Sequence, residues 1–117
     1  MDKFELMTRT KKFAVAVYFM VDGLPNSKGA SNVTYQLLKS SSSVAANYRA
    51  ACRAKSKADF INKIKIVEEE ADESLFWLEY LFDVKLVNES DNYLSVKKEA
   101  NELVAIFTKT LKTLRNQ

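Results

Sequence analysis

Five carboxylates crowd one short segment, Glu68, Glu69, Glu70, Asp72 and Glu73, the densest set of chemistry-bearing side chains in the 117-residue sequence. Clustered carboxylates can collect a divalent cation, but a helix spreads such neighbours around its circumference, so a solvated or salt-bridged face is the expected state. The sequence has no histidine. That excludes Ser-His and Cys-His nucleophile pairs and the Glu-x-x-His ligand pattern of di-iron bundles. Both glycines and the single proline fall between residues 23 and 29, which leaves no glycine-rich phosphate loop. Cys52 stands alone, cannot form an internal disulfide, and reads as a small packing residue. The expectation is a protein that is not an enzyme, with no cofactor and no metal.

Charge is the remaining chemical lead. The net charge of +3 hides an uneven division: residues 1–57 hold ten Lys and Arg against three acids, and residues 58–117 hold eight against twelve. Lys11, Lys12, Lys39, Arg49, Arg53, Lys55 and Lys57 are the candidate phosphate contacts. The same division also suits helices that attract one another within a bundle or across subunits.

With breakers confined to one short segment, long helices follow. The spacing predicts helices over about 3–22, 28–55, 57–83 and 91–115, in one domain covering residues 1–117. The first buries Leu6, Thr10, Phe13, Val17 and Met20, widened by Met7, Ala14 and Val21, and leaves Phe4, Tyr18 and Phe19 off its main stripe for a second surface. The second buries Val33, Leu37, Ser40, Val44, Asn47 and Ala51, flanked by Ser41, Tyr48 and Cys52. Its Ser40–Ser43 run is poor helix-forming material, yet the apolar spacing continues through it; small side chains there mark a tight packing site, a flexible linker being the alternative.

Phe60, Ile64, Val67, Ala71, Ser74, Leu78 and Leu81 form the inner face of the third helix, which Ser56 caps; an overlapping track includes Glu68 and Phe82. A hairpin whose paired positions sum to about 111 sets Ser43 near Glu68 and Ser40 near Ala71, making Glu68 a satisfied core carboxylate. Val96, Ala100, Leu103, Phe107, Leu111 and Leu114 line the fourth helix. The expected fold is all-α, an up-down-up-down left-handed four-helix bundle.

One stripe exceeds what a lone bundle needs. Ile66, Glu70, Glu73, Trp77 and Tyr80 share a face of the third helix, and Lys39, Ser42, Ala46, Arg49 and Arg53 form a basic stripe on the second. Arg49 and Arg53 lie too far along the axis to meet Glu70 and Glu73 in the same chain. The candidate subunit interface is therefore Arg49, Arg53, Ile66, Glu70, Glu73, Trp77 and Tyr80, in a head-to-tail contact that closes into a ring if the rotation allows. The apolar run Phe13–Val21 after Lys11-Lys12 is too short to span a bilayer and makes a poor signal peptide, so no membrane association and a cytoplasmic location are expected.

The runs Gln36–Ser40, Ser43–Arg53, Asp59–Ile61, Val67–Glu79 and Glu99–Phe107 resemble the four-helix bundle proteins first noticed as products of intervening sequences in bacterial 23S ribosomal RNA genes. Some relatives carry Gly where Ala45 stands. The resemblance implies a homopentameric ring. It also implies a nucleic-acid role, because the accessory protein of diversity-generating retroelements is similar and works beside a reverse transcriptase. Two functions are thus expected: an oligomer that binds RNA or DNA non-specifically through repeated basic surfaces, or an oligomeric scaffold or adaptor for a protein partner with no nucleic-acid binding.

Overall fold

The computed structural model describes residues 1–117 as four α-helices and their connections: α1 Lys3–Val21, α2 Lys28–Ala51, α3 Lys57–Asp83 and α4 Asp91–Arg115. Each begins where a short polar side chain can receive a free amide. Asp2, Ser27, Ser56 and Ser90 accept from the backbone N–H of Glu5, Ala30, Asp59 and Tyr93, respectively. Asp59 returns the favour at the α3 start by accepting from Lys55 N–H at 3.0 Å.

Helix α2 is shorter than the spacing predicts. It stops at Ala51 because Arg53 and Ala54 bond to carbonyls three residues back, tightening the chain into the turn that Ser56 ends. Helix α3 ends differently: Lys85 adopts φ 64°, Lys85 N–H donates to Phe82 and Leu86 N–H to Leu81. This is the left-handed stop usually given to glycine.

The helices occupy the corners of a square, packing α1 on α2, α2 on α3, α3 on α4 and, least closely, α4 on α1. The bundle measures 46 × 23 × 21 Å. Its core follows the predicted stripes, with Val17, Leu37, Val44, Ile64, Val67, Leu78, Leu81, Leu103 and Phe107 fully enclosed. Tyr48 and Phe107 meet across the diagonal with ring centroids 5.5 Å apart. Val21 takes the fully buried place predicted for Met20, which is half-buried.

The serine run is helical throughout. Ser40 and Ser41 are buried, and the Ser40, Ser41 and Ser42 hydroxyls donate to carbonyls three residues back. The α2–α3 register differs from the expected one: Ser40 meets Ser74 rather than Ala71, with their hydroxyl oxygens 2.9 Å apart. Two serines, the smallest polar pair available on these faces, let the helices approach and still satisfy both hydroxyls. Ser43 consequently lies beside Glu70, not Glu68. Glu68 is half-buried on the α4 flank and makes neither hydrogen bond nor ion pair, so it is not a satisfied core carboxylate. Asn47 is half-buried as well and donates back to the Ser43 carbonyl and hydroxyl.

Candidate nucleic-acid and subunit interfaces

Antiparallel packing decides which charges become neighbours. Ser40 against Ser74 fixes α2 on α3, Tyr93 Oη donating to the Leu78 carbonyl at 2.8 Å fixes α4 on α3, and Arg9 on Glu99 and Glu102 fixes α1 on α4. These registers bring residues 1–5, 49–66 and 107–117 to one end of the rod. That end carries ten Lys and Arg and three acids, a balance of +7, which leaves −4 for the remainder of the +3 chain. This axial division differs from the one between sequence halves, because Lys63, Lys65, Lys109, Lys112 and Arg115 at the basic end come from the net-acidic half of the sequence.

The seven candidate phosphate contacts are all exposed and none makes an ion pair, but they do not form one surface. Arg53, Lys55 and Lys57 cap the basic end. Lys11 and Arg49 line a groove between α1 and α2. Lys12 lies on the α1–α4 side beside Glu5 and Glu99. Lys39 stands near Glu70 halfway along the rod. Sequence reasoning missed Lys65, Lys109, Lys112 and Arg115, which the register sets at the same end as Arg53 and Lys57. Lys112 and Arg115 occupy the last turn of α4, where cations also suit the negative helix terminus.

The candidate subunit residues divide in the same way. Ile66, Glu73 and Tyr80 are exposed, while Glu70 and Trp77 are half-buried. Phe76, absent from the predicted stripe, is 52% exposed and joins Trp77 and Tyr80 in an aromatic cluster, its ring centroid 4.9 Å from that of Trp77. The Trp77 indole N–H is buried without a hydrogen-bond partner. Burial pushes the Glu70 carboxyl above the usual carboxylate range, Glu73 adds to the rise, and Ser43 and Lys39 oppose it. Arg49 and Arg53 are exposed and meet no carboxylate in their own chain.

The groove beside Arg49 is the largest concavity described on the surface, about 990 Å³. Phe4, Val15, Tyr18 and Phe19 line it and are exposed, Phe19 by 71%. The off-stripe positions of Phe4, Tyr18 and Phe19 signalled this face in the sequence; its pairing with Leu38, Ala45 and Ala46 of α2 required the fold.

Elsewhere the chemistry is sparse. The α3 carboxylates diverge, with Glu68 and Glu70 on opposite flanks and Glu69, Asp72 and Glu73 facing outward, so no three acidic or Cys side chains gather around a cation-sized space. Cys52 is half-buried and contacts the Tyr48 hydroxyl, whose proton is held more tightly chiefly because of burial. No helix is long and apolar enough to cross a membrane.

Fold and surface define an all-α four-helix bundle with a basic end and apolar flanks. The chain belongs to the 23S rRNA-intervening sequence protein family, which matches residues 2–109. Among solved structures it is similar to a protein of unknown function from the S23 ribosomal protein family of Bacteroides thetaiotaomicron, with 30% identity, a TM-score of 0.85, and coverage of 96% of this chain and 99% of that one. No curated protein matches.

Proposed function

We propose that this protein is a non-enzymatic oligomer that binds RNA or DNA without sequence preference, using basic ends repeated around a homopentameric ring. The axial concentration of charge carries the reading: +7 at one end, with Lys63 on Asp59 the one ion pair formed there. Unpaired Lys and Arg at one tip release counterions from a phosphate backbone, and repetition in a ring turns modest charge per copy into cumulative attraction. A nucleic-acid enzyme such as a reverse transcriptase is the kind of partner such a ring serves, by holding its template.

Anisotropy of fluorescent RNA and DNA oligonucleotides at about 50 and 200 mM salt tests the reading. Affinity should fall steeply with salt for both polymers, and Lys112→Glu with Arg115→Glu should weaken low-salt binding by roughly tenfold or more. No binding at the lower salt refutes it. The apolar α1–α2 groove favours the second reading, a scaffold for a protein partner, and that reading stands if the ring forms but neither polymer binds.

A further inference from the structure

We infer that the α1–α2 groove is a track for single-stranded nucleic acid, with bases stacked on the exposed rings of Phe4, Tyr18 and Phe19 and phosphates held by Lys11 and Arg49. The inference rests on the nucleic-acid part of the proposed function and names the form of polymer that the groove accepts. Phe4, Lys11 and Tyr18 recur every seven residues, so ring, cation and ring lie in one line along α1 at intervals of about 10.5 Å. All three rings are more than half exposed. Arg49 faces this line from α2, neither cation is ion-paired, and no carboxylate lines the groove. An apolar lining by itself favours a protein partner. Rings alternating with free cations suit a strand, whose bases offer flat faces and whose phosphates repeat between them.

The groove opens at the basic end of the rod. Phe4 and Arg49 belong to that end and Arg53 follows at its tip, so a phosphate backbone drawn in by the tip meets the rings next. At this mouth the Lys3 ammonium stands 5.3 Å from the Phe4 ring centroid, a further cation beside the first stacking surface. From Phe4 to Phe19 the track runs for about 22 Å of helix at 1.5 Å per residue. Bases in a duplex are stacked on one another and show only their edges. A duplex whose major groove alone is about 12 Å wide does not enter a cleft between helix axes about 8–10 Å apart. A single strand, with its bases free to splay onto aromatic side chains, meets neither limit.

Phe4 and Phe19 lie outside the core, so Phe4→Leu and Phe19→Leu keep an apolar side chain at each end of the groove and remove only its aromatic face. The measurement is anisotropy of a fluorescent oligothymidylate and of a DNA duplex with the same number of phosphates, at about 50 mM salt. Light scattering after size exclusion records the mass of each variant, and far-UV circular dichroism verifies folding. Each leucine substitution should weaken the strand about fivefold or more and leave duplex affinity and mass unchanged, while Phe19→Tyr should retain strand affinity. Binding of neither polymer overturns the inference together with the nucleic-acid reading beneath it. Binding of the duplex but not the strand overturns the track alone, as do leucine variants that hold the strand like the parent or lose both polymers equally. A leucine variant that changes mass also overturns it and assigns the groove to a protein contact.

Discussion

Arg9 grips Glu99 through two bonds of 2.7 Å, one from Nε and one from Nη2, and Nη2 also reaches Glu102 at 3.0 Å. The fork joins α1 to α4 along the least closely packed side of the square. Only a planar guanidinium can address both carboxylate oxygens at once.

Replacing Arg9 with Ala should cost about 1–2 kcal/mol, more than an ordinary surface ion pair, because both partners are about three-quarters covered and the pairing is bidentate. Arg9→Lys should recover less than half of that loss. Urea denaturation followed by circular dichroism measures both, and a Lys variant as stable as the parent contradicts the fork.

The core makes paired demands on volume. Leu78 is fully enclosed, so Leu78→Ala should cost about 2–5 kcal/mol. Ser40 occupies the opposite situation, pressed against Ser74, and Ser40→Leu should cost about 1–3 kcal/mol by forcing α2 from α3. Thermal unfolding should show both variants destabilised despite their opposite changes in size. A tolerated Ser40→Leu argues against close helix contact at this layer.

Acid should act on two carboxylates with opposite sign. Lys63 first, then the Lys55 amide, hold Asp59 below the ordinary carboxylate range; its contribution to stability is complete above the unfolded value and is lost as pH falls through the lower folded one. Glu70 is raised by burial and by Glu73, so its charge penalises folding at neutral pH and the penalty fades as pH falls through its raised folded value. Glu70→Gln should therefore raise the melting temperature at pH 7, with the gain shrinking on acidification. A gain that grows toward low pH reverses the assignment.

Lys85 holds a left-handed conformation at φ 64° to end α3. Glycine adopts that conformation without the Cβ clash, so Lys85→Gly should stabilise the protein by about 0.5–1 kcal/mol. Lys85→Val should destabilise it by at least as much. Melting temperatures of the two variants, compared with the parent, decide the sign.

Helix number and nearly every core position were legible because periodic burial is a local property. Ser56 as the α3 cap and the enclosed track from Ile64 to Leu81 needed no knowledge of neighbours. Relations between helices were less accessible. The Ser40–Ser74 contact displaced the expected register, which set Ser43 beside Glu70 instead of Glu68. Arg9 escaped notice because its partners lie 90 and 93 residues away. The basic end was only half visible: Arg53, Lys55 and Lys57 are close in sequence, but α4 adds Lys109, Lys112 and Arg115 only after three reversals of direction.

The lopsided rod also constrains any closed circle of copies. Rotation about a single axis cannot turn a member upside down, so every cationic tip would share the same aspect of the circle and every net-acidic stem would share the other. Such an object has a front and a back for a polyanion, whereas two circles stacked back to back would offer a landing surface at either pole.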